Sequence, residues 1–401
     1  MSIENKAAKI SVIIPMYYCE EYIGSLLEYL CRQPFSDIEI ICIDDGSPDG
    51  SSDIVKGYSA KDNRIKLISQ EHKGAGAARN TGIEHAAGEY VLFLDADDEY
   101  DESYVSRMYE AIDKNHADIA VCQFTVDDSM LGRTAKNSGY SCVTVPADKA
   151  IPTRNVTNLA TAVSVVPHCK IIRRSLIEDN NLLFTESKSM NDMVFSVAAM
   201  ICAESIVFLK DSLMTYKHHR NPKSISSSRG NNPQDHVLVC HDLYKWLLSR
   251  GLQEEHKRTY WNKWGSALHT YGMYCTDECF IQNAVSDIVS GQPWKGLSNR
   301  ELFFAAKLYT APSRKMLRKE RHKLSNSNYS QQQREMIGNN CRYIEREIEN
   351  VTKVRKMLED EYGRSFFGMD NLLVVRIMQV KEAGLRRTLE IFYRKIVNRM
   401  L

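Results

Sequence analysis

The feature that most constrains this chain is the order of its first hundred residues. Short, continuous, β-branched apolar runs alternate there with segments whose apolar residues recur every three or four positions. Residues 10–14 form the first run, and Pro15 ends it. Residues 20–33 then carry Ile23, Leu26, Leu27 and Leu30 at helical spacing up to Pro34. A second apolar run (38–43), a helix from about Gly50, a strand over 65–69, a helix over about 75–87 and a strand over 90–94 are predicted in turn. Strands that are apolar throughout are buried on both faces, and helices between them make the sheet mostly parallel. Such sheets bind ligands beyond the carboxyl ends of their strands. The polar clusters stand at those ends: Asp44-Asp45-Gly46-Ser47 after the second strand and Asp95-Ala96-Asp97-Asp98 after the fourth.

Further along, a helix is expected over 101–115, a strand over 119–123, a turn-rich loop or hairpin over 127–157 and a helix over 190–202. A short strand over 205–209 and a linker over 216–230 follow, and beyond them the periodicity is almost wholly helical. The 401 residues therefore divide into an α/β domain, 1–229, and an α-helical C-terminal domain, 230–401. Charge follows the same division: residues 1–228 hold 23 Lys and Arg against 32 Asp and Glu, and 229–401 hold 29 against 19. An acidic half that meets an anionic ligand needs a cation or local basic groups to do so. No apolar run approaches the roughly 20 residues of a membrane span. The first residues lack a secretory signal, and the 11 cysteines are odd in number and scattered. Reduced, mostly buried thiols in a cytoplasmic protein are expected, with Cys275 and Cys279 read as helix-face residues rather than a zinc pair.

Three carboxylates within four positions directly after a buried strand repel one another at neutral pH. A divalent cation relieves that repulsion, and Mn²⁺ or Mg²⁺ prefers carboxylate and phosphate oxygens. Strand alternation would point Asp95 and Asp97 the same way and Asp98 opposite, which makes Asp95 and Asp97 the expected metal pair. A solvated turn capping the next helix is the competing reading. In the other cluster, a carboxylate can accept from the N3–H of uracil or from ribose hydroxyls, although Asp-Gly-Ser is also a common turn sequence. Lys73 to Gly82 (KGAGAARNTG) follows the third strand with G-x-G-x5-G spacing, so it is no dinucleotide fingerprint. A glycine-started helix with Arg79 on one face suits sugar or diphosphate contact better.

In order, SVIIPMYY, IICIDDGS, GAGAARNTG and LFLDADD resemble the nucleotide-sugar half of a family 2 glycosyltransferase with the GT-A fold. The pieces downstream fit as well: His168-Cys169-Lys170, Arg173 to Leu176, Phe184-Thr185-Glu186, Asn191 to Phe195, and 216–226. The resemblance covers roughly residues 9–228. It implies that Pro15 and Tyr17 line a nucleotide pocket with Glu20 near it, that Asp45 holds the uracil and that Arg79 braces the pocket. It further implies that Asp95 and Asp97 are the family's DxD, with Asp97 the main ligand of the metal at the donor diphosphate. Asp192 would be the catalytic base, and His218 and Arg220 would lie in a loop closing over the diphosphate. Two departures stand out: Tyr18 follows Pro-x-Tyr where the family often has Asn, and the family's Glu-Asp pair is Asn191-Asp192 here.

The function so implied is inverting transfer of a sugar from a UDP-sugar to a hydroxyl of a saccharide or lipid-linked saccharide acceptor, in surface polysaccharide or lipopolysaccharide synthesis. No nucleic acid partner is expected. A nucleotidyltransferase would need a Gly-rich phosphate loop after the first strand, and residues 15–20 lack one. A catalytically inactive binding or assembly module is the other alternative, allowed by Asn191 and the large rear domain. Residues 313–324 and 371–401 are basic and amphipathic, compatible with peripheral contact with an anionic inner leaflet. Packing of the terminal helix on the catalytic domain or on a second subunit of a homo-oligomer is the competing reading.

Overall fold

A computed structural model describes residues 8–128, 133–136, 138–140, 145–156, 158–218 and 235–256, with positions 259, 260, 263, 321, 341, 342 and 345. Strands β1 (Ile10–Met16), β2 (Ile38–Asp44), β3 (Ile65–Ser69) and β4 (Tyr90–Phe93) are parallel. They are joined through helices α1 (Glu20–Cys31), α2 (Ser51–Ser59) and α3 (Ala75–Glu84). The continuous apolar runs behave as expected, with β2 and β4 buried along their whole length.

The remaining elements widen this sheet. They are β5 (Glu99–Tyr100), α4 (Tyr104–Lys114), β6 (Ile119–Asp128), β7 (Arg133–Ala135), β8 (Ala150–Pro152) and α5 (Leu159–Ala162). They continue with β9 (Lys170–Arg173), α6 (Arg174–Asp179), α7 (Met193–Cys202), β10 (Ser205–His218) and α8 (Asp235–Ser249). The strand order is β3-β2-β1-β4-β9-β6-β10-β5, with β7 on β6 and β8 on β10. β9 is antiparallel to both β4 and β6, so the sheet is mixed, though β10 again runs parallel to β6.

Two strands outrun the sequence pattern. β6 continues to Asp128, where it forms a hairpin with β7. β10 runs for 14 residues rather than stopping at Leu209, so residues 216–218 are strand and not linker. Register shifts between Phe208 and Ser212 and between Ser212 and Met214 mark the cause. A bulge at the charged Lys210-Asp211 interrupts the apolar pattern while the ladder continues beyond it. Helix α8 packs on α7, and its Val239, Cys240, Leu243 and Leu247 are buried in the same core as the sheet.

Among the described residues no helix is long and apolar enough to cross a membrane, and all eight described cysteines are free thiols, six of them buried. Burial pushes the Cys19 thiol up to about 12. Cys275, Cys279, residues 371–401 and all of 313–324 except Arg321 lie outside the described residues.

One buried charge fastens the loop between α3 and β4 to the sheet. Glu39, in β2, accepts from Ser11 Oγ (2.6 Å), Lys66 Nζ (2.7 Å) and the backbone N–H groups of Ala87 (2.7 Å) and Gly88 (3.2 Å). Gly88 must be glycine because a Cβ there would lie 2.5 Å from the Ser11 nitrogen. Burial alone would raise the Glu39 pKa, but these donors, Lys66 foremost, hold it below the usual carboxylate value. A carboxylate depressed on folding stabilises the fold above its unfolded pKa, and that contribution fades as pH falls through the folded value. Glu39→Ala strands several buried donors. It is expected to cost about 2–3 kcal/mol by denaturant unfolding at pH 7 and distinctly less near pH 3.

Candidate active site

The acidic cluster after β4 is a turn, because the strand ends at Phe93. Alternation therefore does not set which way Asp95, Asp97 and Asp98 face. The hydroxyl of Tyr100 accepts from the Asp95 N–H (2.9 Å) and donates to the Asp95 carbonyl (3.2 Å), while Asp98 Oδ1 accepts from the Lys217 N–H on β10 (2.9 Å). Asp98 is buried and Asp97 half-buried. The missing member of the cluster comes from far along the chain. His168, in the short helical turn Pro167–Cys169, has Nδ1 3.3 Å from Asp95 Oδ2 and 3.4 Å from Asp98 Oδ2. Tyr104 fixes that turn by donating to the His168 carbonyl at 2.7 Å.

Asp95, Asp98 and His168 can each offer one ligand atom within 4.8 Å of the others, and among the described residues His168 Nε2 has no hydrogen-bond partner. Two carboxylates and an imidazole, with Asp97 in the same turn, form a donor set able to hold a divalent cation. The gathered group joins Asp95 to Asp98 and His168, and Asp97, the other residue of the expected metal pair, stands in the same turn.

Helix α3 ties this turn to the other clusters. Its Arg79 is buried, donating from one terminal nitrogen to Asp95 Oδ1 (2.7 Å) and from the other to Asn191 Oδ1 (3.0 Å). The guanidinium also lies over the Phe184 ring, 5.4 Å from its centroid. Burial disfavours the Asp95 carboxylate, yet Arg79 and then His168 outweigh it and hold its pKa well below the usual range. Burial has the opposite sign for His168, whose pKa is pushed below its ordinary value against the pull of Asp95.

The N-terminus of α3 meets an anion from within the chain. Asp45 Oδ1 accepts from the Lys73 N–H (2.9 Å) and the Gln70 side chain (2.8 Å), and Oδ2 accepts from the Gly74 N–H (2.8 Å). The His72 Nδ1 is 2.8 Å from Oδ2, and its ring stacks on Tyr17 with centroids 4.0 Å apart. Asp45 and Tyr17 are thus brought together, bridged by His72, which the sequence placed in no ligand pattern. Tyr18 adopts φ 54°, a left-handed conformation that costs a bulky residue more than the Asn often found there in the family. Glu20 lies farther out, where its carboxylate accepts from the Gly50 N–H (3.0 Å) at the start of α2. Pro15 is half-buried in β1 opposite Ile43.

Asp192 stands half-buried at the N-cap of α7, and the loop before it is pressed against α3. A Cβ on Gly76 would come within 2.0 Å of the Thr185 carbonyl, so glycine is required for this close approach. Asn80 bonds both backbone groups of Phe184, and the Thr185 N–H donates to the Asn191 carbonyl (3.1 Å). Lys170 is fully buried, its ammonium donating to the Val166 carbonyl at 2.5 Å. Lys263, from beyond α8, is near enough to feel both Lys170 and Asp192; burial and then Lys170 lower its pKa to about 8, against Asp192. Of the two residues expected in the closing loop, His218 ends the backbone of β10 and Arg220 lies outside the described residues.

A sequence profile described as glycosyl transferase family 2 matches residues 11–180. The uncharacterized glycosyltransferase YibD of Escherichia coli is 32% identical over 255 residues, which cover 61% of this chain and 72% of that protein. The chain belongs to the family 2 glycosyltransferases. The uncharacterized glycosyltransferase EpsJ of Bacillus subtilis is 33% identical over 223 residues, 54% of this chain and 62% of that protein, so this chain spans about three fifths of that relative. The poly(ribitol-phosphate) β-N-acetylglucosaminyltransferase TarS of Staphylococcus aureus is 30% identical over 253 residues, 62% of this chain and 42% of that enzyme. The crystal structure of its residues 1–349 with UDP-GlcNAc superposes with a TM-score of 0.56 at 23% identity, covering 88% of this chain and 92% of that one. That likeness gives the fold, GT-A, and the sheet described above is its mostly parallel, mixed form.

The Arg79 link generates a test. Removing the cation leaves the half-buried Asp95 with its depression largely lost, so Arg79→Met is expected to cost about 3 kcal/mol. Because the Asp95 carboxylate stabilises the fold above its unfolded pKa and ceases to as pH falls through its folded value, the variant's acid unfolding should move to higher pH. Circular dichroism across pH 2–6 reads both effects.

Proposed function

We propose that this family 2 glycosyltransferase moves a sugar, with inversion, from a UDP-sugar to a hydroxyl of a saccharide or lipid-linked saccharide, within residues 1–229 and with Asp192 as base. The single observation carrying this reading is the Arg79 bridge, which joins the acidic turn to the residue preceding Asp192. Tyr17 and Asp45 would receive the uridine, on displacement of the His72 ring, with Pro15 beside them and Glu20 holding the loop at the start of α2. Asp95 and Asp97, with Asp98 and His168 behind them, would hold Mn²⁺ or Mg²⁺. A cation there supplies compensation for the charge that grows on the departing diphosphate.

Asp192 accepts the proton of the acceptor hydroxyl as its oxygen bonds to the anomeric carbon. The bond from that carbon to the diphosphate breaks in the same step, and UDP leaves with the electron pair. Asn191 gives Arg79 a neutral acceptor, so the cation keeps its full charge pair for Asp95. His218 and Arg220 are proposed to close over the diphosphate. The basic stretches 313–324 and 371–401 are proposed as the part that meets an anionic membrane surface or a second subunit.

The relationship to TarS sets UDP-GlcNAc first among the donors to try. UDP release from it should require Mn²⁺ or Mg²⁺ and stop with chelator. Asp97→Ala should abolish the metal dependence together with the activity. Asp192→Asn should slow turnover by about 10²–10⁴-fold while UDP still binds. Release indifferent to chelator, or an Asp192→Asn protein as fast as its parent, would contradict the reading.

A further inference from the structure

The loop that carries Asp192 is held from three sides. On one side, Arg79 donates to the Asn191 side chain. On another, the N–H and hydroxyl of Thr185 donate to the Asn191 carbonyl at 3.1 and 3.3 Å. The third tie comes from the first turn of α8, which lies beyond residues 11–180, the stretch matched by the family profile. Asp235 Oδ2 accepts from the Ser189 N–H at 3.0 Å, and His236 Nε2 lies 3.4 Å from Ser189 Oγ. Ser189 is 1% exposed and Asp235 9%, so this carboxylate-to-amide bond is made almost out of water.

Between the tie and the base lies a bent backbone. Met190 adopts φ 57°, a left-handed conformation that a long side chain does not choose unaided. The Met193 N–H bonds back to the Met190 carbonyl at 3.1 Å, so the bend leads directly into α7 and sets where its N-cap, Asp192, stands. Strained backbone persists only where its surroundings over-determine it. Arg79 and Thr185 fix the loop after the bend, at Asn191, and Asp235 fixes it before the bend, at Ser189. Without the second point, the bend can relax toward an ordinary conformation and turn the residue two places on.

From this geometry we infer that Asp235 is a positioning residue: it clamps Ser189 so that the left-handed turn at Met190 presents Asp192 to the acceptor hydroxyl. The helical segment after the α/β domain is therefore part of the catalytic apparatus. The inference rests on Asp192 being the base for its catalytic meaning, but the clamp itself can be observed without turnover.

The test compares the full chain with Asp235→Leu, which removes the acceptor, and Asp235→Asn, which keeps a neutral oxygen for the Ser189 N–H. Hydrogen exchange is read at the amides of 189–193, and UDP release from UDP-GlcNAc with Mn²⁺ is read alongside. Calorimetry with UDP gives the fraction of molecules with an intact donor site. In Asp235→Leu the amides of 189–193 should exchange at least about tenfold faster while those of β1, β2 and β4 are unchanged. Turnover should fall about tenfold or more at unchanged KM and unchanged UDP stoichiometry, and Asp235→Asn should restore most of both losses. Exchange in 189–193 unaltered by Asp235→Leu overturns the clamp. A loss of UDP stoichiometry parallel to the loss of turnover also overturns it, since that marks a general failure to fold. Faster loop exchange with unaltered turnover also overturns the positioning role, since Asp192 then does not depend on the clamp; whether Asp192 is the base is read separately from Asp192→Asn.

Discussion

The buried guanidinium of Arg79 is the constraint on which this site depends. Taking such a charge out of water costs several kcal/mol unless nearby partners replace the lost hydration. The replacements are the Asp95 carboxylate, the Asn191 amide oxygen and the face of Phe184. These three come from the turn after β4 and from the loop before α7, about one hundred residues apart in sequence. Satisfying one cation therefore brings the acidic turn and the loop before Asp192 to a common place. The start of α3 serves the same end, with the amides of Lys73 and Gly74 just before it on Asp45 and Gly76 allowing contact with Thr185.

Much of this was legible in the residues. Apolar runs broken by helical periods marked the four parallel strands, and polar clusters at their carboxyl ends marked where a ligand site was to be sought. Asp45, Arg79, Asp95 and Asp192 all appear in that neighbourhood. What sequence order could not supply were contacts made across the fold. His168 enters the acidic cluster only because β9 lies antiparallel beside β4, and the pairing of strands far apart in sequence leaves no local trace. His72 is similar: it directly precedes Lys73-Gly74, yet its stacking on Tyr17 depends on how two loops meet.

The early end read for β10 has a physical origin. A bulge places charged residues in the middle of β10 without ending the ladder, so a period-based reading stops too early. The turn at Asp95–Asp98 shows the converse: two-residue alternation does not hold for residues that no longer belong to a strand. In both cases hydrogen bonding, not side-chain polarity, determines where an element ends. Lys263, from the basic rear half, stands within the field of Asp192.

The most direct measurement is a crystal structure of the protein with UDP and Mn²⁺. The account predicts the uracil against Tyr17 and Asp45, with the His72 ring moved aside. It predicts the metal at the Asp95–Asp98 turn touching the diphosphate, and Arg79 still joining Asp95 to Asn191. A nucleotide bound elsewhere, or a metal held away from that turn, would contradict it.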